Sequence, residues 1–394
     1  MNRLIILLLT IGAFLAGTAE YIIAGVVDMV AYDLQVSIAL AGQLVTAYAL
    51  AYAIGAPLVV MLTARMERKK VMVAAIGLFI IGNLIAWWSP NFIMLFVSRL
   101  LLGVSGGVYT VVAMSTVFKL VSPEKLGNAI GTLTMGISGS LVFGVPLGVA
   151  LSGWIGWQGS FAVLATASFI VMLGIVRLIP AIAGGEAIPF KQQFAVFKNR
   201  KIVSGYFITL FWIAGYAITY TFLIPFLRET VNMDTAAVSL TLFILGIFAM
   251  AGSRLGGYGA DRWGLVKTVV ISMSIHALAL LLLPIMNIAM LSTITIVAVW
   301  VGSAWMTSPT LQTYFIQQTP ASPDLALSLN TSVLQFGIAV GAGFGGVAVN
   351  AAGSVAVTPW IGGGLVILGM IAAWISFSMQ HTPSAGQHEN RETV

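Results

Sequence analysis

Apolar residues run through this chain in long blocks, with no strict two-residue alternation. The first block opens at Leu4 and hardly breaks until Val27. Similar blocks recur near 4–27, 39–62, 71–89, 92–117, 125–151, 158–180, 203–226, 234–257, 268–286, 289–314, 324–352 and 356–378. A helix rises about 1.5 Å per residue, so each block suffices to cross a hydrocarbon core of about 30 Å. The pattern predicts an all-α membrane protein with twelve transmembrane helices. Blocks longer than about 23 residues imply tilt or extension into water. The first is too long for the apolar core of a signal peptide, and no clear cleavage site precedes the second, so we read it as a retained span.

Composition agrees. Of 394 residues, 59% are hydrophobic and 8% charged, against about 25% charged in soluble domains. Cysteine is absent, which excludes a disulfide framework, a thiolate metal site and a cysteine nucleophile. The net charge of +6 does not point to nucleic acid, because the bases are placed as a membrane places them. With twelve spans both termini lie on one side. Of the 18 Lys and Arg, only Arg99, inside a span, and Arg228, on the opposite side, fall elsewhere. "RMERKK" (65–70), Lys191, Lys198, Arg200, Lys201, Arg262 and Lys267 all share the side of the termini, which the positive-inside rule makes cytoplasmic.

Shifting the chain by half its length lays the first six spans over the last six. Gly55 then falls on Gly252, Arg65 on Arg262, Pro123 on Pro320, Gly144 on Gly341 and Gly148 on Gly345. One register kept across six spans implies two pseudo-symmetric six-helix bundles: 1–180, a cytoplasmic loop 181–201, 202–380, and a polar, disordered tail 381–394. Parallel repeats of this kind bind their cargo between the halves, near the midplane.

These residues carry a resemblance. The loop "VMLTARMERK" (60–69), its second-half counterpart "GYGADRWG" (257–264), Arg99 and Gly103 in "LFVSRLLLGVSGG" (95–107), and "GVPLG" (144–148) resemble the signatures of the major facilitator superfamily, within it the twelve-span drug:proton antiporters. Ala64 stands where the first loop usually has Asp, and Val145 is inserted in the span 5 motif. The resemblance covers essentially the whole chain. It implies a secondary transporter of the bacterial cytoplasmic membrane, driven by the proton gradient without a cofactor and acting as a monomer on a small-molecule substrate. The family includes purine, sugar and multidrug efflux pumps, and an uncoupled facilitator or an uptake symporter would share the fold. An enzyme is not expected: the sequence has no P-loop, metal-ligand cluster or recognisable catalytic triad.

Glu20 is the residue that needs explaining, since a carboxylate in hydrocarbon costs roughly 2.5–3.5 kcal/mol or more. Helical spacing puts Ala13, Gly17, Glu20 and Ala24 on one face, with Leu4, Leu8, Ile11, Leu15, Ile22 and Val26 gathered opposite, toward lipid. Glu20 and Arg99 each lie about seven residues from the expected outer ends of spans 1 and 4, roughly 10 Å deep, so they can pair. A static ion pair holding the two helices is one reading. The other is a titrating acid, Glu20, tuned by Arg99, for which a proton and a substrate compete. The resemblance implicates the same two residues in proton coupling.

Two aromatic stripes, Trp212, Tyr216 and Tyr220 in span 7 and Tyr48 and Tyr52 in span 2, read either as helix packing or an interfacial belt or as a cavity wall. They suit planar or cationic ligands. Trp305, Gln312, Asn330 and Gln335 are read as orienting hydrogen-bonding groups or, equally, as bridges between helices; Met135 and Met306 are read as adaptable lining. The small residues Gly136, Gly139, Gly144 and Gly148, with Pro146, and Gly341, Gly343, Gly345 and Gly346 are read as gate positions. Arg65, Glu67, Asp261 and Arg262 are read as cytoplasmic latches, with the first weakened by Ala64 so that the resting protein favours an inward-open state. His276 is expected to be a neutral, hydrogen-bonded structural residue, and Asp28 to be solvated.

Overall fold

The computed structural model describes residues 2–120, 132–133, 135–184, 199–285, 289–319 and 323–379. Pro123, Pro320, Lys191, Lys198 and the tail 381–394 lie outside them. The described residues are helical and contain no strand. Spans 1 to 4 are Asn2–Asp33, Ile38–Leu62, Arg68–Trp87 and Phe92–Leu120. The second half supplies span 7, Arg200–Thr221, continued by Leu223–Val231, then span 8, Thr235–Arg262, and span 9, Leu265–Leu282. Spans 10 to 12 are Met290–Gln318, Pro323–Ala352 and Val357–Ser378. The intervening helical stretch, Met135–Leu178, has 44 residues, about twice what a bilayer needs. It breaks at Gly156, where φ is 72° and ψ is 162°, a conformation that favours glycine. Spans 5 and 6 are therefore 135–155 and 157–178, which gives twelve spans among the described residues. Trp157, just past the break, donates Nε1–H to Asp33 Oδ2 at 2.9 Å and ties this turn to the end of span 1.

Two spans carry a π-helical turn, Ala51–Gly55 in span 2 and Ser140–Gly144 in span 5. Each comes two residues before a proline, Pro57 and Pro146. Proline lacks an N–H and its ring crowds the carbonyl four residues back, so the preceding turn widens.

The halves pack alike. A Cβ on Gly144 or Gly148 would strike Thr18 or Ile22 of span 1, and one on Gly341 or Gly345 would strike Ala214 or Ile218 of span 7. Gly55 likewise abuts Val104 in span 4, and Gly252 abuts Gly302 in span 10. These glycines let helices of the same bundle approach closely. The expected gate positions Gly144, Gly148, Gly341 and Gly345 are thus packing sites inside each half. Pro146 is likewise buried. Gly343 and Gly346 do face the other bundle, against Thr46, Gln43 and Ala39 of span 2.

Span 1 is more enclosed than its face pattern predicts. Leu4 and Ile11 are exposed, but Leu15, Ile22 and Val26 are buried, because spans 2, 4 and 5 and the second half surround the helix beyond its first turns. Contacts between bundles cluster toward the end opposite the termini, hereafter the distal end. There Gln43 Nε2 donates to the Gly343 carbonyl at 3.2 Å, and Phe222 fills the space beside Gly42. Arg228 Nη1 meets Asp28 Oδ2 at 2.7 Å. Asp28 is therefore ion-paired across the bundle interface, contrary to the expectation of a solvated side chain. At the terminal end, Lys119 Nζ donates to the Ala183 carbonyl at 2.7 Å and Arg68 N–H to that of Ile182 at 2.9 Å, anchoring the start of the central loop on the first half.

Candidate functional site

Where the bundles meet, spans 1, 2, 7, 10 and 11 line a narrow cavity of about 50 Å³, which widens to about 660 Å³ only when the open space at its mouth is included. Glu20 lines it and is partly exposed to it. Span 1 continues to Asp33, thirteen residues past Glu20. The acid therefore sits about 20 Å from that end at the helical rise, deeper than the sequence suggested.

The expected Glu20–Arg99 ion pair is not formed. Arg99 is fully buried and gives its guanidinium hydrogens to main-chain carbonyls instead: Nη1 to Ala19 at 2.6 Å, Nη2 to Glu20 at 3.1 Å and Nε to Leu44 at 3.2 Å. Its guanidinium also lies 4.5 Å from the centre of the Tyr48 ring. A buried cation needs hydrogen bonds on every side, and three carbonyls with a ring face supply them here. Arg99 so fastens spans 1, 2 and 4 behind the acid and sets the electrostatic potential at Glu20 without touching its carboxylate. The carboxylate's partner comes from the other bundle: Gln335 Nε2 donates to Glu20 Oε1 at 2.9 Å.

Aromatic side chains form the opposite wall. Tyr216 stacks on Tyr220 at 5.2 Å and meets Trp305 edge-on at 6.4 Å, with Trp305 Nε1 3.5 Å from its hydroxyl. Trp212 Nε1 donates to the Ala304 carbonyl at 3.1 Å. Tyr48 lines the same cavity, and Tyr52 stacks behind it at 6.5 Å. Of the residues proposed as lining, Tyr48, Trp212, Tyr216, Tyr220 and Trp305 do line it, whereas Tyr52, Met135, Met306, Gln312, Asn330 and Gln335 are not among its walls. Met135 is 71% exposed on span 5, and Met306 is buried against Gly256 of span 8. Asn330 accepts from Thr209 Oγ1 at 2.7 Å, which makes it a bridge between spans 7 and 11. Gln312 is exposed, with Ser308 Oγ 3.5 Å away. Gln335 acts through Glu20.

Tyr21 was missed. It lines the cavity and meets Tyr220 edge-on at 6.3 Å, across the interface. Its adjacency to Glu20 hid it, because neighbouring helix positions do not share a face; here the acid turns toward span 11 and the tyrosine toward span 7. Ser308 and Thr221 are further polar lining residues that no pattern marked.

His276 is fully buried, but neither ring nitrogen has a hydrogen-bond partner among the described residues; its ring lies 6.4 Å from Trp300, away from the cavity lining. The hydrogen-bonded role expected for it is absent. At the terminal end, Glu67 pairs with Lys70 at 3.3 Å one turn along span 3, and Arg65 is exposed. Asp261 forms no ion pair among the described residues, and Arg262 lies over the Tyr258 ring at 5.7 Å. No latch between bundles is closed at that end among the described residues.

Two pseudo-symmetric six-helix bundles with an aromatic, acid-bearing cavity at their junction define a multi-pass membrane transporter. Comparison gives the family. The Major Facilitator Superfamily model matches residues 9–323, and the chain belongs to that superfamily; its members are transporters, not enzymes. The chain is 38% identical to the uncharacterized MFS-type transporter YbcL of Bacillus subtilis (strain 168), over 95% of this chain and 96% of the relative. It is 24% identical to a probable sugar efflux transporter of Helicobacter pylori (strain P12), over 93% of each. Among solved structures, a D-xylose-proton symporter superposes with a TM-score of 0.77 at 16% identity, covering 96% of this chain and 97% of that one.

Proposed function

We propose that this protein is a proton-coupled secondary transporter that exports small planar or amphipathic compounds, neutral or cationic, by alternating access, with Glu20 as proton carrier. In this reading the terminal end faces the cytoplasm of a bacterial cell, as the placement of the bases implies. The distal contacts then close the outer mouth, and the conformation is inward-facing.

The observation that carries the reading is Glu20 itself: one acid, open to a cavity with aromatic walls, hydrogen-bonded across the interface that alternating access must open. Substrate entering from the cytoplasm stacks on Tyr216, Tyr220 and Trp305 and brings an N–H or a positive charge to the carboxylate. Glu20 releases its proton to the cytoplasm as it accepts that group. The bundles rock, the substrate leaves outward, and a proton from outside takes its place on the carboxyl and returns inward with it. One site that holds either a proton or a passenger suffices for antiport.

Sugar is the rival substrate, suggested by the H. pylori relative and the xylose transporter. The walls argue against it. Trp212 Nε1 is committed to Ala304 and Tyr48 Oη donates to the Ala16 carbonyl, which leaves Glu20, Ser308, Thr221 and a few phenols for a ring of hydroxyls. Each hydroxyl buried without a partner costs about 1–3 kcal/mol. Thermal-shift titration with planar cations, purine bases and sugars at pH 6 and pH 8.5 tests the reading. Substrates should be planar or cationic and stabilise more at pH 8.5, since binding to the native state raises stability with affinity. Stabilisation by sugars alone, or equal at both pH values, would overturn it.

A further inference from the structure

The amide of Gln335 is half used. Its Nε2 donates to Glu20 Oε1 at 2.9 Å, while its Oε1 is buried and has no partner among the described residues. Gln335 itself is 4% exposed. A buried amide oxygen left unpaired is costly and uncommon in native structures. What is missing is a donor, and a carboxylate has none. A carboxylic acid has one.

From this geometry we infer that Gln335 reads the protonation state of Glu20 and converts it into closure of the bundle interface. With Glu20 ionised, one hydrogen bond crosses from span 11 to span 1. When the carboxyl gains a proton from the open side, its new O–H donates to Gln335 Oε1, and acid and amide form a reciprocal pair. Two hydrogen bonds then cross the interface, and the distal end is held shut more firmly. Deprotonation removes that donor and restores the unpaired acceptor, which weakens the closed interface. No other group changes in the step: the proton moves between water and the carboxyl, and the amide keeps its own hydrogens.

The ionisable neighbours are Tyr21 on span 1, Tyr48 and Tyr52 on span 2, Arg99 on span 4, and Tyr216 and Tyr220 on span 7. Their ordinary pKa values are near 10 or above, and none supplies the missing donor on span 11. The inference rests on Glu20 being the proton site, as proposed above, and the test separates the two.

Infrared difference spectra between pH 8.5 and pH 5.5 should be recorded on the reconstituted protein, together with spin-label distances across the distal mouth. The wild type should show a protonated-carboxyl band that Glu20→Gln abolishes; its absence, or its survival in Glu20→Gln, removes the proton-site reading beneath the inference. In Gln335→Met, and in the shorter amide Gln335→Asn, the band should persist but move to higher wavenumber, as an acid freed of its partner does. The closed-to-open ratio of the distal mouth should rise about fivefold on acidification in the wild type, the equivalent of one ordinary hydrogen bond. In both variants it should change less than twofold. A band at unchanged frequency, or a full pH response of the mouth in either folded variant, would overturn the role of Gln335 while leaving Glu20 as carrier.

Discussion

The ion pair at the distal mouth offers the most direct perturbation of the conformational balance. Arg228 Nη1 and Asp28 Oδ2 are 2.7 Å apart, and the two side chains are 29% and 16% exposed. Opposite charges centred about 4 Å apart attract by about 4 kcal/mol at an effective dielectric constant of 20. Partial exposure and salt reduce this, and separation of the bundles returns both groups to water. A net 1–2 kcal/mol in favour of the closed mouth is the reasonable remainder, a factor of about 5–30 in the closed-to-open ratio. Asp28→Asn should lower that ratio by this amount, read by double electron–electron resonance between spin labels on the distal ends of spans 1 and 7. The charge-swapped pair Asp28→Arg with Arg228→Asp should restore most of it, and high salt should weaken the wild-type closure. Identical distance distributions in wild type and Asp28→Asn would refute the reasoning and assign closure to the apolar contact of Phe222 with Gly42 and to the polar contacts of Gln43.

Arg99→Ala should destabilise the protein by roughly 2–5 kcal/mol, because it empties the buried space the side chain fills between spans 1, 2 and 4 and removes its hydrogen bonds to Ala19, Glu20 and Leu44; thermal unfolding in detergent measures this, and a change under 1 kcal/mol would deny the fastening role. Tyr216→Ala should weaken binding of a planar ligand about 2–10-fold, the worth of one aromatic contact, as read by tryptophan quenching, with unchanged affinity as the contrary result. Gly144→Val should cost about 1–3 kcal/mol by overpacking against Thr18, visible as a lower melting temperature; an equal or higher one would show that spans 1 and 5 can part there.

Hydropathy made the architecture legible, because lipid imposes long apolar runs whatever the cargo. Even the turn at Gly156 fell in the gap predicted between spans 5 and 6. Half-length similarity made the symmetry legible, and the same glycine contacts recur in both halves. Glu20 and the span 7 aromatics stood out as chemically costly or regularly spaced residues. The partners did not. Periodicity gives relative angles around a helix, never its absolute rotation, so Met135 was placed inward although it faces out. Arg99 binds carbonyls, which leave no mark in a sequence. Asp28 and Arg228 lie 200 positions apart on different bundles, and nothing local to either predicts the other.

The account stands or falls on whether Glu20 carries the proton. The measurement is uptake of a planar cation into inside-out proteoliposomes energised only by an imposed pH gradient, comparing wild type with Glu20→Gln. Wild type should accumulate the compound against its gradient and dissipate the pH difference, while Glu20→Gln should retain counterflow exchange but lose uphill transport. Uphill accumulation by Glu20→Gln at the wild-type level would contradict the claim.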